Sequence, residues 1–64
     1  MNQTFTKAAF RQIAIENEIE AEDFFHKWKS FTLGGYFLAA SDALRHYRER
    51  KRAAKYARKR AKQV

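Results

Sequence analysis

The chain contains no proline, and its two glycines are adjacent, Gly34 and Gly35. A backbone with a single place to break is built from long regular elements. β-Branched residues are few and no useful stretch alternates apolar with polar, so those elements are expected to be helices. Sixty-four residues make one small domain at most, and a chain of that size buries only about 60% of the surface it exposes when unfolded. Without cysteine there is no disulfide framework and no thiolate chemistry. His26 and His46 lie far apart with no ligand cluster around either, which argues against a zinc staple. The ten aromatic residues point instead to a compact apolar core.

The apolar spacing predicts where the helices run. A first helix is expected from Thr4 or Thr6, either of which can cap it through a hydroxyl. Phe10, Ile13, Ala14 and Asn17 share one side of it, and Asn17-Glu18 is expected to close it. A second helix is expected from about Ala21 to Phe31 or Leu33, with Phe24, Trp28 and Phe31 on one stripe and Phe25 alongside. Its acidic start (Glu20, Glu22, Asp23) and its later Lys27 and Lys29 match the helix dipole at both ends. Gly34-Gly35 ends it. A third helix follows from near Tyr36, or from Ser41-Asp42, and runs towards the C-terminus. The expected fold is all-α: a small three-helix body, residues 4–47, carrying a long basic C-terminal helix whose residues 48–64 form a tail. The apolar stripe thins to Ala54, Ala57 and Ala61 in that tail, so the tail is expected to project into solvent or rest on a partner.

Phe10 to Lys29 partly resembles a helix-turn-helix unit, with Ile13-Ala14 before the bend, Ile19 after it and Phe24 on the second helix. In a DNA reader the second helix offers its N-terminal residues to base edges. Here those residues are Glu20, Ala21, Glu22 and Asp23, which phosphates would repel. The spacing therefore reads as an αα corner of the core.

Charge is divided unevenly. Residues 1–44 hold four Lys or Arg against six acids, a balance of −2; residues 45–64 hold ten against Glu49 alone, a balance of +9. Such asymmetry belongs to chains that meet nucleic acid or another anionic surface. Solubilising surfaces normally mix both signs. The expected phosphate-binding residues are Arg45, Arg48, Lys51, Arg52, Lys55, Arg58, Lys59 and Lys62, with Tyr56 able to stack on exposed bases. An interfacial membrane helix would need large apolar residues opposite its charges, and this one offers alanine, so no membrane is expected.

Phe24, Trp28 and Phe31 are core candidates that could alternatively anchor a protein partner. The narrow alanine side of the third helix offers a route to a homodimer. No nucleophile–base pattern, phosphate loop or ligand-spaced cluster supports catalysis, and no metal or cofactor is expected. No targeting segment is evident, which points to the cytoplasm. Together these features predict a small non-enzymatic nucleic-acid-binding accessory or regulatory protein, of the kind found in phages, plasmids or the transcription and translation machinery. The alternative is a protein-interaction adaptor or inhibitor that takes an acidic or nucleic-acid-handling partner through its aromatic body and basic tail.

Overall fold

In a computed structural model, which describes residues 6–64, the chain is an antiparallel hairpin of two long helices, α1 (Lys7–Leu33) and α2 (Phe37–Gln63). The three-helix body is thereby corrected to two helices, although the all-α class holds. The expected break at Asn17-Glu18 does not occur. Asn17 donates its side-chain amide to the Ile13 carbonyl one turn back (2.8 Å), and with no glycine or proline nearby the helix runs through. Thr6 caps α1 by accepting from the Ala9 amide (3.1 Å); Thr4 lies outside the described residues.

The glycine pair forms the turn. The amide of Tyr36 donates to the Phe31 carbonyl (2.9 Å) and that of Gly35 to Thr32 (3.2 Å), with Gly35 at φ +81°. This is the Schellman arrangement, completed by its usual apolar contact: the Phe31 and Tyr36 rings meet edge to face at 6.5 Å.

Two straight helices need a continuous seam, and here it repeats every 3.5 residues. On α1 it reads Phe10, Ala14, Asn17, Ala21, Phe24, Trp28, Phe31; on α2 it reads Ala40, Ala43, Tyr47, Arg50, Ala54, Ala57, Ala61, and none of these residues is exposed. Alternating steps of three and four residues are the coiled-coil pattern. Cross-helix partners such as Phe24 with His46, Arg50 with Glu20 and Arg60 with Phe10 keep one register, their residue numbers summing to 70 in each case. That register sets small against large: Ala61 lies level with Phe10, Ala43 with Trp28 and Ala40 with Phe31.

Residues 48–63 therefore do not project. They continue α2 without a break, and Ala54, Ala57 and Ala61 are buried against α1. Alanine is thin as transferable apolar area but suits close approach of two backbones, where packed atoms recover dispersion contacts. The alanine side is consumed inside the chain, so it is not free to make a homodimer. Every fully buried residue among those described is alanine, and no large side chain is completely enclosed. The molecule is a rod of 49 × 17 × 16 Å.

Candidate nucleic-acid interface

With the seam facing α1, the other positions of α2 fall into ridges. Arg45, Arg48, Arg52, Lys55, Lys59 and Lys62 succeed one another at steps of three and four along its outer side, all exposed. That spacing keeps side chains on one helix face. Lys51 and Arg58 flank this ridge and, with Arg52, Lys55, Lys59 and Lys62, line a shallow groove of about 590 Å³ that Glu18 borders from α1.

The cations are not equivalent. Arg45 is paired with Asp42 (2.6 Å). Arg58 grips Glu18 of α1 with two nitrogens, Nη2 to Oε1 and Nε to Oε2 (3.4 Å for the latter). This hydrogen-bonded pairing holds the Glu18 carboxyl below its ordinary range, helped by the charges of Arg58 and Lys51, and raises Arg58. Arg50, inside the seam, bonds Glu20 (3.0 Å) and Asn17 (3.4 Å), forming a polar layer between apolar ones. Arg60 bonds Gln63 (3.2 Å) and lies 5.8 Å from the centre of the Phe10 ring. Arg48, Arg52, Lys55, Lys59 and Lys62 form no ion pair with an acid among the described residues, and these five make an unbroken row about 21 Å long. Tyr56, next to Lys55 in sequence, leaves 63% of its surface exposed at the edge of the row.

No protein-family model, curated protein or solved structure matches this chain.

Of the nine expected contact residues, the structure brings seven to the outer side or groove of α2 without an acidic ion-pair partner and commits Arg45 and Arg58 to one. Nothing near Arg58 in sequence marks this, since Glu18 lies 40 positions away. The three aromatic candidates sit in the seam, half-buried. Phe24 stacks on His46 at 4.9 Å, Trp28 lies 5.6 Å from Phe25, and Phe31 covers the turn. Among the described residues, the four most exposed large apolar side chains are elsewhere, at the tip: Leu33 (88%), Tyr36 (67%), Phe37 (71%) and Leu38 (90%), with Tyr56 and Ile19 next along the rod. The position of those four was readable only once Gly34-Gly35 was known to form the end of a two-helix rod. Among the described residues, no helix is long and apolar enough to cross a membrane.

Proposed function

We propose that this is a small, non-enzymatic, cytoplasmic protein that docks on nucleic-acid phosphates through the outer face of α2, in an accessory or regulatory role. The observation that supports it is the row Arg48, Arg52, Lys55, Lys59 and Lys62, exposed, of one sign and free of acidic partners. A solvated helix face would be expected to carry interspersed acids. The acids of this chain sit mostly on α1, whose net charge is −1 against +8 for α2. A polyanion is thus drawn to one long side of the rod. The hairpin keeps the basic helix formed before binding, so less ordering entropy is lost on contact.

Fluorescence-anisotropy titration of a labelled duplex, a single strand and a structured RNA tests this at 50 and 200 mM salt. Five neutralised phosphates give a log–log salt slope of about −4.5 on duplex DNA, so affinity should fall roughly 500-fold between the two conditions. Absence of binding to all three ligands at 50 mM salt would overturn the proposal. Tyr56→Ala weakening the single strand more than the duplex would assign base stacking to Tyr56.

A protein-interaction adaptor or inhibitor is the second reading, favoured by the exposed tip Leu33, Tyr36, Phe37 and Leu38. It is distinguished by binding that tolerates salt and fails on Leu38→Ser.

A further inference from the structure

The hairpin has two flanks beside its seam, and they differ. One flank carries Ile13, Glu20, Lys27, His46, Ala53 and Arg60, which are mixed and mostly polar or small. The other changes character along its length. Near the tip it is mainly apolar, with Phe25, Trp28 and Leu33 on α1 and Phe37 and Leu44 on α2, and with Lys29 resting over the Phe25 ring at 5.6 Å. Two shallow depressions of about 330 Å³ each meet at Phe25 on this flank. Towards the open end it is charged and mainly basic, with Arg11, Glu18 and Glu22 on α1 and Arg48, Lys51, Lys55 and Arg58 on α2, Glu18 already held by Arg58.

We infer that this flank binds a second copy of the chain, forming a parallel four-helix dimer with both turns at the same end. Three observations lead there. A single hairpin encloses no large side chain, so its aromatic residues remain half-open until a further layer covers them. One whole long side of the rod spans about 49 × 17 Å, so a partner covering that side end to end would meet on the order of 800 Å² per copy, the size of a standard interface. Charge then selects the symmetry. A two-fold axis across the rods would set α1 on α1 and α2 on α2, laying one cation row against the other. A two-fold axis along the rods sets α1 of each copy on α2 of its partner at equal height. Phe25 then lies level with the partner's Leu44 and Glu22 with the partner's Arg48. Apolar halves coincide, Glu22 meets Arg48 twice, and α2 at +8 faces α1 at −1 rather than a second α2, so the parallel form wins. Arg52, Lys59 and Tyr56 stay outside, and the two outer faces of α2 point in opposite directions. The dimer draws Arg48, Lys51 and Lys55 towards the partner and leaves Arg52 and Lys59 facing outward, so it competes with phosphate for part of the same surface; dimerisation is measured without nucleic acid.

The test is sedimentation equilibrium of the intact chain across 1–200 μM (roughly the span a modest dimer needs). The expected mass rises to twice the 7.6 kDa of one chain. Phe25→Glu should weaken dimerisation about tenfold or more, with circular dichroism confirming that helix content is kept. Should Phe25→Glu unfold, the surface pair decides: Glu22→Lys or Arg48→Glu alone weakens the dimer, and the double exchange restores it. Spin labels on Leu38→Cys should lie within the width of a bundle. A separation approaching the rod length would overturn the parallel arrangement. A monomeric mass at every concentration, or a dimer indifferent to Phe25→Glu and to both charge reversals, would overturn the interface itself.

Discussion

Gly35 carries the turn with φ +81°, and a Cβ placed there would meet nothing within 4 Å. Any cost of adding one therefore comes from the backbone, because L-residues other than glycine resist the left-handed region by roughly 1–2 kcal/mol. Gly34 is the reverse case. Its backbone is ordinary (φ −81°), but a Cβ would come 2.9 Å from Cδ2 of Tyr36. That ring is exposed and can move aside. Gly35→Ala is expected to lower unfolding free energy by about 1–2 kcal/mol, and Gly34→Ala by less, both read from urea denaturation. The glycine pair was legible in the sequence as the break, and Thr6 as a cap. Asn17 was misleading, because the polar side chain that can close a helix can also bond one turn back and stay inside it.

At the scale of the helices, the alanine seam determines how closely α1 and α2 approach. Ala57 is 2% exposed and lies near the level of Ala14, itself fully buried. Ala57→Leu forces three extra carbons into that layer and should destabilise the hairpin by about 1–3 kcal/mol. The same change at exposed Ala8 should fall within about 0.5 kcal/mol, so the difference between the two denaturation midpoints measures the fit. The sequence showed Ala54, Ala57 and Ala61 on one side of α2. Its apolar area was too small to reveal that the side was covered, because close backbone approach depends on what α1 presents at the same level. The basic row was legible for a simpler reason: side chains three and four apart share a face whatever the tertiary structure. Which of its members are already paired was not, since the Glu18 partner of Arg58 comes from the other helix.

For the molecule as a whole, one rod replaces a body with a tail. Deleting residues 48–64 removes the half of α2 that covers Phe10, Ala14 and Asn17. The remaining chain is close to the roughly 40-residue limit below which domains need staples. Loss of helical circular dichroism well beyond the deleted share, with no cooperative melting, is the expected outcome. A truncated chain that still melts cooperatively would contradict this division of the seam.

The placement of the aromatic layers along that rod also bears on the order of folding. Phe31 and Tyr36, which meet beside the turn, are five residues apart, whereas Phe10 and Arg60 at the open end are separated by fifty. Loop closure costs more entropy as the enclosed segment lengthens. The bulky contacts of Phe24, Phe25 and Trp28 thus form where closure is cheapest, and the alanine layers add on once the helices are side by side. Such a hairpin zips from the turn outward, and the stretch of α2 that carries the cation row is the last to be laid against α1.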